Sequence, residues 1–167
     1  MKKVIFFFFC CSVLFLQCGP GISDYHNRIS NDLFFSSDGS RTKLFIGERH
    51  DHGIRIDSIL IHPTITQIKH SDEYVIIEQS PNRELIVSDF AQDYCAPISS
   101  EDQRMKCIDF ADSVINRNVH FKKIFSQRTN YWIVRVYDHH SFGPYSYSQF
   151  LLVKDSLHID MNLSKKD

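Results

Sequence analysis

The chain has 167 residues, of which 19 are basic and 20 acidic. Without Lys2 and Lys3 the balance is 17 basic against 20 acidic residues, a net charge of −3, and the charges are interspersed. This distribution predicts no role in binding nucleic acid or anionic lipid. The length suits one domain that buries its core without needing a metal or many disulfides, and we expect no cofactor.

The N-terminal residues are typical of a bacterial secretion signal that ends at a lipid-modified cysteine. Lys2 and Lys3 form a basic start, residues 4–16 are apolar apart from Ser12, and Cys18 follows. An apolar run of about thirteen residues is shorter than the roughly twenty that a membrane-spanning helix needs. The predicted organisation has three parts: a signal peptide over 1–17, a lipidated cysteine and linker over 18–24, and a single globular domain over 25–167.

Lipidation of Cys18 would anchor the domain to a membrane of the bacterial cell envelope, facing the periplasm or the exterior. Each buried methylene of an acyl chain contributes about 0.8 kcal/mol, so two or three acyl chains would hold the protein firmly at the membrane. Two alternatives stay open. Phe15 and Gln17 are unusual just before a lipidated cysteine, which leaves a cleaved signal without lipid, and a soluble chain with an apolar first segment is the other.

The cysteines divide between the signal and the domain. Cys10 and Cys11 lie in the signal and Cys18 is the lipid site, which leaves Cys95 and Cys107. In an exported protein, a pair this close in sequence predicts a disulfide, which would contribute about 3 kcal/mol. A redox-active pair would need a C-x-x-C spacing that these residues lack.

Alternating apolar residues predict a mainly antiparallel sheet. The strand candidates are 33–35, 43–46, 54–56, 64–68, 74–78 and 131–137. A turn-rich segment over 37–40 separates the first two and indicates a hairpin. In the longest strand, the alternation places Trp132, Val134 and Val136 on one face and Ile133 on the other.

Two late helices complete the prediction, and both open with a Ser-x-x-Gln capping pattern. The first runs from Ser100 to about Asn116 and holds Cys107 toward the core. The second follows Gly143-Pro144, with Ser146 as its cap. The predicted fold class is therefore α+β, a single domain with a mainly antiparallel β-sheet and two late helices.

Several short motifs follow one another in a characteristic order: Asp24-Tyr25, Ile-His-Pro-Thr-Ile over 61–65, residues 72–79, Tyr-Trp-Ile-Val over 131–134, and Gly143-Pro144. This order resembles the small bacterial lipoproteins grouped as domain of unknown function 3997. The resemblance covers most of the mature chain and implies a lipoprotein with one small domain, without catalytic residues. The segment 81–126 is longer than the resemblance implies.

Nine histidines suggest a metal site. The best candidates lie in two clusters, Arg-His-Asp-His over 49–52 and Asp-His-His over 138–140. His50 and His52 would point the same way on a strand, and His139 and His140 are the further candidate ligands. Zinc would require three or four converging ligands. The alternative is that both clusters are solvated loops at strand ends.

Tyr145 and Tyr147 lie in a serine-rich stretch and are candidates for exposed binding aromatics. No nucleophile elbow or phosphate-binding glycine motif occurs, so we name no catalytic residue. The first functional hypothesis is a membrane-anchored, non-catalytic domain that binds a protein partner in the envelope. The alternatives are a metal-binding protein or metal-dependent enzyme that uses the histidine clusters, and a toxin-neutralising immunity lipoprotein.

Overall fold

A computed structural model of the chain describes residues 25–37, 42–50, 53–95 and 100–164. The predicted signal peptide, Cys18 and the whole of the linker lie outside these ranges. The described residues form two antiparallel four-stranded sheets and four helices, which confirms the α+β class. None of the helices in these ranges is both long and apolar enough to cross a bilayer.

The first sheet is a meander whose strands pair in sequence order: β1 (Tyr25–Arg28), β2 (Leu33–Ser37), β3 (Lys43–His50) and β4 (Gly53–Ile61). The predicted hairpin is the β2–β3 pair, in which Phe34 lies opposite Phe45. Their rings stack with centroids 6.0 Å apart. Leu33 and Leu44 are fully buried, so this sheet contributes directly to the core.

The second sheet is also a meander: β5 (Ile65–His70), β6 (Tyr74–Gln79), β7 (Asn130–Arg135) and β8 (Ser141–Tyr145). Its central strands, β6 and β7, are buried on both faces. Trp132 and Val134 belong to the main hydrophobic cluster, whereas Ile133 belongs to a smaller cluster on the opposite face. The alternation predicted for β7 is therefore confirmed. The sequences of strands that are covered on both faces are nearly continuous runs of apolar residues.

Three helices lie between β6 and β7 in the sequence and one follows β8: α1 (Arg83–Cys95), α2 (Glu101–Arg117), α3 (Val119–Phe125) and α4 (Tyr147–Ser156). The first three supply eight of the seventeen buried residues of the main cluster. Helix α4 covers the other face of the second sheet, where Phe150 packs with Ile76 and Ile133. The segment 81–126 is thus part of the core and not an appended loop.

The two predicted helices, α2 and α4, are confirmed together with their caps. The Ser100 hydroxyl accepts a hydrogen bond from the Gln103 backbone N–H at 3.2 Å, and Ser146 and Gln149 form a complete capping box. The structure adds two further helices, α1 and α3, and divides the strands between two sheets. Helix α1 carries Val87, Phe90 and Ala91 at helical spacing, a signal that the prediction missed, whereas α3 has only seven residues, too few to show a period.

Candidate functional site

The predicted Cys95–Cys107 pair forms a disulfide that joins α1 to α2, with the two Cα atoms 6.1 Å apart. Cys107 is 8% exposed and lies on the buried face of α2 with Ala111 and Ile115. Cys95 is the last residue of α1, a helix that was not predicted. The position of the bridge beside the core indicates a structural role.

The two candidate binding tyrosines differ in exposure. Tyr147, in the first turn of α4, is 50% exposed, and its ring lies 5.2 Å from that of Tyr131. Tyr145 lies in β8 opposite Tyr131 and is only partly exposed. Tyr147 is therefore the more accessible of the two, and a binding role for either stays a prediction.

The histidines of the 138–140 cluster have separate partners. His139 Nε2 lies 3.2 Å from Asp32 Oδ1, and the His140 ring lies edge-on to Phe142 at 4.5 Å. Asp138 accepts hydrogen bonds from the Arg135 guanidinium at 3.0 and 2.6 Å, which lower the pKa of Asp138 to about 2. Within the described ranges, no group of three or more His, Cys, Asp or Glu residues is arranged to hold a metal ion.

The other histidine cluster is only partly described, since His52 and the side chain of His50 lie outside the described part of the chain. The described residues place Asp32, which contacts His139, close to β3. The Gly47 backbone N–H donates to the Asp32 carbonyl at 2.9 Å, and β3 continues from Gly47 to His50. Asp32, which contacts His139, therefore lies within a few residues of the β3–β4 hairpin.

A buried polar network lies where the two sheets meet, and the sequence analysis did not identify it. Gln79 is fully buried and its amide Nε2 donates to the His62 carbonyl at 2.8 Å. Its Oε1 accepts from Trp132 Nε1 at 3.0 Å and from Asn130 Nδ2 at 3.4 Å. A polar residue on the core side of β6, after Val75 and Ile77, is the sequence signal that could have revealed it.

His62 and Asp89 extend this network toward α1. The His62 ring lies 5.0 Å from Phe121, and burial lowers the pKa of His62 to about 4, against the opposing effect of the Asp89 charge. Asp89 accepts a hydrogen bond from Lys43 at 3.0 Å, and both side chains are largely buried. Three buried acceptors have no hydrogen-bond partner among the described residues: His62 Nδ1, Asp89 Oδ2 and Asn130 Oδ1.

The side chains of this network form a structural junction between the two sheets. Neutral His62 and an Asp89 carboxylate paired with Lys43 lie beside aromatic rings. An open groove of about 860 Å³ lies between β5 and the start of α1, and none of these side chains lines it. The groove is lined by backbone and side chains around Thr64, Ser80 and Arg83.

The motifs that carry the family resemblance meet in this region. His62, Gln79 and Trp132 each come from a different motif, and Gly143 packs against Trp132. A Cβ at Gly143 would lie 2.8 Å from Trp132 Cε3, and the φ of +134° is one that other residues rarely adopt. The Gly143-Pro144 peptide bond is cis. These motifs therefore have packing roles in this chain.

Comparison with protein-family models, with curated proteins and with solved structures finds no match in any of the three. The resemblance to the lipoprotein family consequently stays a prediction.

Proposed function

We propose that the chain is an exported bacterial lipoprotein whose folded domain is held at an envelope membrane through Cys18 and binds a partner without catalysing a reaction. The observation that carries this proposal is the order of basic residues, short apolar run and cysteine over residues 1–18. The resemblance to small lipoproteins supports the same conclusion.

The position of the first strand supports attachment close to the lipid. β1 begins at Tyr25, seven positions after Cys18. At roughly 3.5 Å per residue, this stretch spans at most about 25 Å. A domain of this size has a radius of gyration of about 14 Å, so its surface stays within reach of the membrane.

Exposed aromatic side chains support a binding role. Tyr137 is 76% exposed, and the Arg135 guanidinium lies 4.7 Å from the centre of its ring. Tyr147 presents a second exposed ring on α4. Tyrosine and arginine are enriched among the residues that contribute most to protein recognition.

Intact mass and detergent partitioning of the chain expressed in a bacterium would test the anchor. We expect a mass increase that matches a diacylglycerol and partitioning into the detergent phase, both lost in Cys18→Ala. Cys11→Ala is the matched control, because it removes a cysteine of the signal and should change neither result. A water-soluble wild-type chain with no added mass would contradict the proposal.

A second candidate is a metal-binding protein that uses His50, His52, His139 and His140. The observation that favours it is the contact of His139 with Asp32, whose carbonyl accepts a hydrogen bond from Gly47 of β3, the strand that ends at His50. It would become a metal-dependent enzyme only if the ion kept an open position for substrate.

Metal analysis of protein purified without a histidine tag would separate the two candidates. The second one predicts a stoichiometric metal that is lost in His52→Ala and in His139→Ala but retained in His70→Ala, a change at an exposed residue of β5. A metal-free protein whose melting temperature is unaffected by a chelator would rule it out.

A further inference from the structure

The segment around α3 has a charge distribution unlike that of the rest of the chain. No acidic residue occurs between Asp112 and Asp138, while Lys and Arg occur five times in the same interval. Four of these basic side chains are exposed and form what we call the α3 basic surface: Arg117, Lys122, Lys123 and Arg128. The fifth, Arg135, pairs with Asp138.

Within the described part of the chain, the α3 basic surface lacks the carboxylate partners that five other basic residues have. Lys43, Arg83, Arg104, Lys106 and Arg135 each form an ion pair with an Asp or Glu. None of the four members of the α3 basic surface has an ion pair within the described part of the chain. Their positive charges therefore remain available to an anionic partner.

An apolar side chain lies on the same face of α3 as two of these charges. Lys122 and Lys123 follow Val119 by three and four residues, so all three share one side of the helix. Val119 is 79% exposed, whereas Phe121 and Ile124 on the opposite side are buried in the core. A helix face that combines lysines with an exposed apolar residue is typical of contact with a lipid interface.

We infer that the α3 basic surface docks on anionic phospholipid of the membrane to which the domain is anchored. The inference rests on the proposed lipid anchor, because Cys18 would keep the domain within reach of the headgroups. Charge complementarity selects the anionic lipid, and Val119 would enter the interfacial region. The 19 basic and 20 acidic residues nearly balance over the whole chain, so the net charge does not reveal this local basic surface.

Full-length lipidated protein in vesicles provides the test. An environment-sensitive fluorescent amino acid at position 119 reports contact with a lipid that carries a headgroup quencher. We expect strong quenching in phosphatidylcholine vesicles that contain phosphatidylglycerol, and little in pure phosphatidylcholine. Concentrated salt should abolish the difference, because the Debye length falls from about 10 Å at 0.1 M to about 3 Å at 1 M.

Removing two charges should weaken docking without affecting the anchor. At about 1 kcal/mol for each basic residue, Lys122→Gln with Lys123→Gln lowers the ratio of docked to undocked domains about 30-fold. The control is Arg104→Gln with Lys106→Gln on α2, which removes the same charge from residues that already have carboxylate partners. The control should be quenched like the wild type.

Vesicle flotation distinguishes failure of the anchor from failure of docking. Flotation with both vesicle types but equal quenching in both, or no effect of the Lys122 and Lys123 substitutions, would overturn docking and leave the anchor intact. Flotation with phosphatidylglycerol vesicles alone would support docking and overturn the anchor. Flotation with neither would overturn both. Quenching that disappears when duplex DNA is added at low salt, without preference for phosphatidylglycerol, would overturn lipid as the partner and favour nucleic acid.

Discussion

Gln79, at the end of β6, connects separate parts of the fold through the hydrogen bonds of its side chain. Its amide links the connection after β4 to β7 through the His62 carbonyl and the Trp132 indole. Gln→Met keeps the length of the side chain but removes both hydrogen bonds, and each buried polar group left unpaired costs about 1–3 kcal/mol. We therefore expect Gln79→Met to lower the free energy of unfolding by about 3 kcal/mol.

Urea unfolding followed by the fluorescence of Trp132, the one tryptophan in the chain, would measure this loss. Gln92→Met is the matched control, because Gln92 is exposed on α1 and its replacement should change stability by less than about 0.5 kcal/mol. Equal effects of the two substitutions would show that the Gln79 hydrogen bonds contribute nothing specific.

His62 makes the stability of the domain depend on pH. Its pKa is lowered from 6.5 to about 4, mainly by burial, with Lys43 and His120 acting in the same direction and Asp89 against them. Between these pH values the unfolded chain binds a proton that the folded chain does not, so stability falls as the pH falls. A difference of about 2.5 pKa units corresponds to about 3 kcal/mol.

Denaturant unfolding of wild type and His62→Gln at pH 7.5 and pH 4.5 would measure this effect. We expect the wild type to lose about 2–3 kcal/mol more than the variant between the two pH values. His70→Gln, a change at an exposed histidine of β5, should keep the pH dependence of the wild type. Parallel pH profiles for wild type and His62→Gln would contradict the burial of a neutral imidazole.

The disulfide between α1 and α2 stabilises the helical segment between β6 and β7. Cys95 and Cys107 are separated by 12 residues, so the disulfide should contribute about 3 kcal/mol by restricting the unfolded chain. We expect the Cys95→Ala, Cys107→Ala double variant to lose that amount, measured by denaturant unfolding. Reductant should lower the stability of the wild type but not that of the double variant. Free thiols at both Cys95 and Cys107 in unreduced protein, detected by mass spectrometry, would contradict the bridge.

For the molecule as a whole, the main core unites the two sheets. Leu44 of the first sheet and Trp132 of the second belong to the same buried cluster, together with residues of α1, α2 and α3. A shared core predicts one cooperative unfolding transition. We expect Leu44→Ala to cost about 3 kcal/mol, since it leaves a cavity in this core.

Thermal unfolding followed both by far-ultraviolet circular dichroism and by Trp132 fluorescence would test the single transition. The two signals should share one midpoint in the wild type and shift together in Leu44→Ala, although the substitution lies in the other sheet. A circular dichroism midpoint that shifts while the fluorescence midpoint does not would show that the sheets unfold independently.

Features that depend on neighbouring residues could be predicted from the sequence alone. Alternation along β7 is set by the two-residue period of a strand, and the caps of α2 and α4 are set by Ser100 and Ser146 with a glutamine three residues later. The Cys95–Cys107 pairing followed from proximity in the chain. These are local properties, and the structure retains them.

Features that depend on contacts between residues distant in the sequence could not be predicted and became visible with the fold. Helix α1 buries Ile86, Val87 and Ala91 in one cluster with Trp132 and Val134 of the second sheet, which are distant in the sequence. The junction of His62, Gln79 and Trp132 joins residues more than fifty positions apart. Whether a lysine or arginine of the α3 basic surface has a carboxylate partner likewise depends on which residues the fold brings near it. A linear sequence does not specify that.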